Sequence, residues 1–111
     1  MIQKTGSINI LLIVADDLGV DNISGYEEQP NFSAQTPSVD ALASEGTLFR
    51  NVWANPMCSP SRASLLTGRH AFRHGVTHPG PATGDLADIE ETIAEAISSA
   101  GYQSAKFAVV C

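Results

Sequence analysis

The residues with the clearest capacity for chemistry lie in one segment, 58–69, which reads Cys-Ser-Pro-Ser-Arg-Ala-Ser-Leu-Leu-Thr-Gly-Arg. Pro60 suits the first turn of a helix, where its missing N–H would have no partner, and Gly68 is typical of a residue that ends one. Cys58 is therefore expected just before a helix N-terminus, where backbone N–H groups and the helix dipole favour an anion. Arg62 follows about one helical turn later, so its guanidinium can return to the same point. The segment thus combines a reactive side chain, an anion-binding position and a fixed cation, whereas a lone Cys would suggest only a small core residue.

A second candidate site is an acidic doublet at the end of an apolar run. Residues 8–15 are nearly continuously apolar, which is typical of a buried parallel strand, and Asp16 and Asp17 follow directly. Ligand-binding groups of open α/β sheets gather at the carboxyl ends of strands, where the backbone can turn so that both carboxylates reach one ion. Ca²⁺ and Mg²⁺ prefer such oxygen ligands. The doublet predicts a divalent-metal site, and a solvated Asp-Asp-x-Gly turn is the alternative.

Both sites occur in patterns that resemble the sulfatase family, the formylglycine-dependent type I enzymes of the alkaline-phosphatase-like superfamily. The segment at Cys58 resembles the family signature, Cys-x-Pro-Ser-Arg with a Leu-Thr-Gly ending. The string Asn-Ile-x-x-Ile-x-x-Asp-Asp from Asn9 resembles the family's N-terminal strand with its paired metal-binding Asp residues. The Thr-Pro-x-x-Asp-x-Leu-Ala-x-x-Gly stretch over 36–46 is also similar. The resemblance extends from Asn9 to about Phe107.

The resemblance implies a sulfuric ester hydrolase of the arylsulfatase kind. It implies that Cys58 is converted to formylglycine, whose hydrate attacks the sulfur of a sulfate ester so that the alcohol leaves. It also implies that Cys58 and Arg62 are catalytic, and that Asp16, Asp17 and Cys58 bind Ca²⁺ or Mg²⁺. The implied partners are a sulfate-ester small molecule or a sulfated glycan, and a formylglycine-generating or other sulfatase-maturing enzyme.

Two other functions stay open. One is a phosphonate or phosphoester hydrolase of the same superfamily, because the motifs do not separate sulfur from phosphorus. The other is an inactive or binding-only α/β fragment.

The family places a Gly-Lys-Trp-His string soon after the Gly-Tyr pair at 101–102, whereas residues 108–111 read Ala-Val-Val-Cys. The later Asp-Asn pair and the second, smaller domain also lack counterparts. We therefore expect residues 1–111 to be the N-terminal part of a sulfatase catalytic domain that is truncated, frameshifted or partial.

The elements expected around these sites alternate between strands and helices. Strands are predicted over 8–15, 47–53 and 103–110. Helices are predicted over 36–46, within 58–69 and over 91–101, the first with Thr36 as N-cap and the last with a capping box between Thr92 and Glu95. This order predicts an α/β fold with a mostly parallel sheet flanked by helices. The resemblance implies a partial alkaline-phosphatase-like sandwich.

Composition narrows the class of partner. The chain has 111 residues, 43% of them hydrophobic, which suits one small globular unit. A net charge of −6 argues against nucleic acid as a partner, and no apolar run is long enough to span a membrane. Residues 8–15 with Lys4 upstream only faintly imitate a signal peptide, so the compartment stays open between the cytoplasm and, with a longer natural start, the periplasm or exterior.

His70, His74 and His78 are expected to flank the pocket or lie in solvent, and Cys111 to be a free thiol.

Overall fold

The computed structural model describes residues 8–26, 34–80 and 84–107. The chain divides into two compact units, Met1–Arg50 and Asn51–Cys111. All regular elements in the described residues are helical. None of those helices combines the length and the hydropathy that a membrane crossing requires.

The first unit is built around one helix, α1 (Pro37–Glu45), preceded by 3₁₀ turns at Val20–Asn22 and Ser24–Tyr26. Thr36 and Gly46 flank α1 as predicted, and Pro37 opens it. The Thr36 hydroxyl lies 2.9 Å from Ser24 Oγ and donates to Asp40 Oδ1 at 3.3 Å, so it joins side chains and does not cap a helix N–H. The Ser24 hydroxyl in turn donates to Asp40 Oδ2 at 2.6 Å, which ties the 3₁₀ turn to α1.

The predicted sheet is not formed in the part of the chain that the structure describes. Residues 8–15, 47–53 and 103–107 lie outside regular secondary structure, and 108–110 lie outside the described residues. Within the first segment Leu11 is 84% exposed and Ile13 is 74% exposed. The difference has a physical reason: a strand obtains its hydrogen bonds from a neighbouring strand, and β-propensity alone does not supply that neighbour.

The second unit contains three helices, α2 (Cys58–Thr67), α3 (Ala71–His74) and α4 (Ile93–Ser99). Gly68 ends α2 at φ 67°, and Gly75 ends α3 at φ 76°, both in the left-handed region that glycine enters without a steric penalty. These two glycines reverse the chain so that α3 packs against α2, which also contacts α4. The small buried centre of this unit contains Ala63 and Val76, together with one polar side chain, His74.

The capping box predicted at the start of α4 is confirmed. Glu95 Oε2 accepts hydrogen bonds from the Thr92 backbone N–H at 2.7 Å and from the Thr92 hydroxyl at 2.9 Å. Both bonds favour the charged carboxylate, first the backbone bond and then the hydroxyl bond, and together they lower the pKa of Glu95 below its usual value. The start of α4 is therefore held by an interaction that ionisation of Glu95 strengthens.

Candidate active site

Cys58 is the first residue of α2, and its side chain is an exposed free thiol. Cys58 was predicted to lie just before the helix. In the structure the helix begins one position earlier, at Cys58 itself. Pro60 lies in the first turn, as predicted, and is buried. The initial N–H groups of a helix have no acceptor within that helix, so this end is suited to an anionic group.

The loop before Cys58 is fastened to α2 by one side chain. The Ser61 hydroxyl accepts a hydrogen bond from the Asn55 backbone N–H at 3.0 Å. It lies 2.8 Å from the Met57 carbonyl and 3.1 Å from the Asn55 carbonyl, either of which can receive its single proton. Ser61 therefore stabilises the turn that leads into Cys58.

Arg62 is an exposed residue of the same helix, four positions after Cys58. Residues with this spacing lie on one face of a helix. The structure thus brings the two predicted catalytic residues together on α2, with the cation one turn from the helix start. The planar guanidinium is able to bind two oxygens of a sulfate or phosphate group at once.

The buried position of His74 was not predictable from its neighbours in sequence. Its side chain is only 6% exposed, and its Nε2 atom lies 3.0 Å from the hydroxyl of Ser64, in the middle of α2. The expectation that His74 lies in solvent is therefore wrong, and the alternative, a position beside the pocket, stays a prediction. The nearest signal is the pair of glycines at 68 and 75, because they fold α3 back onto α2.

An ion pair fixes the other end of α2. Arg69 Nη1 lies 2.6 Å from both carboxylate oxygens of Glu90, whose side chain is only 8% exposed. This contact joins the end of the signature segment to the residues that precede α4. No local sequence pattern points to Glu90, because its partner Arg69 is distant in sequence.

Asp16 and Asp17 belong to the first unit and are both exposed. Asp17 has φ 51°, a left-handed conformation that Asp adopts more readily than most residues. The backbone therefore turns at the doublet, as the predicted metal site requires. Within the described residues, neither unit gathers three or more His, Cys, Asp or Glu side chains in a metal-binding cluster. The role of the doublet stays a prediction.

The three predicted metal ligands, Asp16, Asp17 and Cys58, fit a hard divalent cation in part. Two adjacent carboxylates supply the oxygen ligands that Ca²⁺ and Mg²⁺ prefer. The thiol of Cys58 is a soft ligand and suits neither ion. Cys58 therefore fits the predicted ligand set only when its sulfur has been replaced by oxygen.

Comparison with known proteins identifies the family. The Sulfatase family model matches residues 8–108. The chain is 42% identical to human N-acetylgalactosamine-6-sulfatase over 107 residues, which cover 86% of this chain and 20% of that protein. It is 41% identical to human arylsulfatase D over 103 residues, covering 85% of this chain and 17% of that protein, and 39% identical to rat steryl-sulfatase over 103 residues with the same coverage. No solved structure matches.

The chain belongs to the sulfatase family, as the motifs predicted. Membership implies an alkaline-phosphatase-like α/β fold. The regular elements formed in the described residues are helices. The chain spans about a fifth of the length of the relatives it matches, 20% in the case of human N-acetylgalactosamine-6-sulfatase.

Proposed function

We propose that this chain carries the reactive residue of a sulfuric ester hydrolase and forms the N-terminal part of its catalytic domain. The observation that carries the proposal is the start of α2, where the exposed Cys58 opens the helix and Arg62 follows on the same face. The family match and the sulfatase names of the relatives support sulfate esters as substrates.

The residues of α2 have separable roles in this proposal. Arg62 binds the oxygens of the sulfate group and stabilises the negative charge that develops on them. The N–H groups at the start of α2 add a positive partial charge at the same end of the helix. Ser61 holds the preceding turn through Asn55 and Met57, so that the backbone at Cys58 is ordered before substrate binds.

Two further groups are required for the chemistry. Asp16 and Asp17 would hold Ca²⁺ or Mg²⁺, and Cys58 would be converted to formylglycine by a maturing enzyme. When present, the aldehyde supplies a hydrated nucleophile and the cation activates it and neutralises sulfate oxygens. The exposure of Cys58 supports the proposal that a maturing enzyme can reach it.

The proposed substrate is a sulfate ester of a small molecule or a glycan. The relatives are named for N-acetylgalactosamine 6-sulfate, aryl sulfates and steryl sulfates, which share the ester and not the alcohol. The finer fold that we propose is a mostly parallel sheet in an alkaline-phosphatase-like sandwich, to which 8–15, 47–53 and 103–110 contribute strands within the whole catalytic domain.

The experiment is a comparison of aryl sulfate and aryl phosphate turnover by a full-length sulfatase that contains residues 1–111, co-expressed with a formylglycine-generating enzyme. We expect hydrolysis of the sulfate ester, and its loss in Cys58→Ala. Preferential hydrolysis of the phosphate ester would replace the proposal with a phosphoester hydrolase. Hydrolysis of neither ester by protein in which Cys58 is modified would favour an inactive or binding-only chain.

A further inference from the structure

Both ring nitrogens of His74 have hydrogen-bond partners, and these partners define one tautomer of the neutral ring. Its Nδ1 atom accepts a hydrogen bond from the Val76 backbone N–H at 3.2 Å, so Nδ1 carries no proton. In the neutral ring the proton then lies on Nε2, which donates to Ser64 Oγ at 3.0 Å. The ring therefore joins the start of the segment after α3 to the middle of α2.

The contact continues from Ser64 to the loop before Cys58. Ser64 Oγ also accepts a hydrogen bond from Asn55 Nδ2 at 3.4 Å. The Asn55 backbone N–H donates to Ser61 Oγ, as described above. A donor–acceptor distance of 3.4 Å is long, so this bond depends on how firmly the Ser64 hydroxyl is held. The Nε2 atom of His74, 3.0 Å away, also holds this hydroxyl.

We propose that His74 is a positioning residue for the reactive end of α2. Its Nε2-protonated ring fixes Ser64 Oγ, Ser64 fixes Asn55, and Asn55 orders the loop 55–57 that sets the backbone at Cys58. The inference deepens the proposed function and rests on it only for the importance of Cys58. The hydrogen-bond chain itself can be tested without any hydrolysis of substrate.

The test uses two substitutions that each retain one half of the imidazole. His74→Asn places an amide oxygen near the Nδ1 position and loses the Ser64 contact. His74→Gln places an amide N–H near the Nε2 position and loses the acceptor for Val76 N–H. Exchange of backbone amides with deuterium is measured at Asn55 and at Val76 in the 111-residue chain, with His78→Asn as the control at an exposed histidine.

The proposal predicts opposite patterns for the two variants. His74→Asn removes the bond to Ser64 that holds the Asn55 side chain, so the loop should open more often and exchange of the Asn55 amide should speed by up to about tenfold, the equivalent of one net hydrogen bond, while Val76 stays protected. His74→Gln should leave the Asn55 amide protected and speed exchange of the Val76 amide. Ser64→Ala should reproduce the effect of His74→Asn on exchange of the Asn55 amide. Combining Ser64→Ala with His74→Asn should speed this exchange little further, since the two residues act in one chain of hydrogen bonds. If His74 only fills space, both variants will loosen both amides equally, and that result would overturn the proposal.

A second measurement does not require any variant to fold. The ¹⁵N chemical shifts of the His74 ring in the unsubstituted chain report which nitrogen carries the proton. An Nε2-protonated ring supports the proposal, and an Nδ1-protonated or doubly protonated ring at neutral pH contradicts it. If exchange and tautomer agree with the proposal but the full-length protein hydrolyses no sulfate ester, only the proposed function has failed.

Discussion

For Cys58 and Arg62, position and chemical role rest on different grounds. Their common position at the start of α2 follows from the helix itself. Their chemical roles follow from the proposed function. A guanidinium at this spacing can bind an anion held at the helix start, which gives a direct prediction for substitution of Arg62.

Substitution of Arg62 should weaken catalysis without removing the fold. In the full-length enzyme, Arg62→Ala should lower kcat for aryl sulfate by about a hundredfold or more, as for loss of one preorganised charge-stabilising donor. Arg62→Lys should recover part of this loss, because the charge returns but the two-pronged geometry does not. Steady-state kinetics check both values, with Arg73→Ala as the control at another exposed arginine. Equal kcat values for Arg62→Ala and the unsubstituted enzyme would contradict the assigned role.

The helices show which features local sequence can predict. Helix ends and caps were predictable, because each depends on residues within one or two turns. They are the end of α2 at Gly68, the bounds of α1 at Thr36 and Gly46, and the Thr92–Glu95 capping box. The burial of His74 and the ion pair between Arg69 and Glu90 were not, because their partners lie 10 and 21 positions away in sequence.

The capping box of α4 predicts an acid-sensitive helix. The folded state lowers the pKa of Glu95, so its contribution to stability is present above the usual carboxyl value of 4.5 and is lost as pH falls through the lowered folded pKa. Thermal melting followed by circular dichroism from pH 7 to about pH 3 should show a smaller acid destabilisation in Glu95→Gln than in the unsubstituted chain. Glu91→Gln is the matched control, since it removes an exposed carboxylate of the same segment. An identical pH dependence in Glu95→Gln and the unsubstituted chain would count against the capping box.

At the scale of the whole molecule, the apolar segment 8–15 is the main departure from expectation. Its nearly continuous apolar composition predicted a buried strand, yet in the described residues its side chains are exposed and it has no strand partner. The family fold requires a sheet, and sheet pairing depends on residues far apart in sequence. The relation of Asp16 and Asp17 to Cys58 is a long-range feature of the same kind, so no local pattern can fix it.

An exposed segment rich in β-branched and aliphatic residues predicts self-association of the 111-residue chain. Such a segment offers unpaired backbone groups and apolar side chains to another copy. Sedimentation velocity should show oligomers or aggregates, and Leu11→Lys with Ile13→Lys should shift the chain toward monomer. Val39→Lys with Leu42→Lys, at two exposed positions of α1, is the control for the two added charges alone. A monomeric unsubstituted chain at high concentration would contradict the prediction.

The most direct test of the central claim is the mass of the tryptic peptide that contains Cys58, residues 51–62. The chain is co-expressed with a formylglycine-generating enzyme, and the peptide 107–111, which contains Cys111, provides the internal control. We predict that the 51–62 peptide loses the mass expected for conversion of thiol to aldehyde and reacts with a hydrazide, while the Cys111 peptide keeps its thiol. A Cys58 peptide that retains its thiol, in cells where a known sulfatase is converted, would contradict the account.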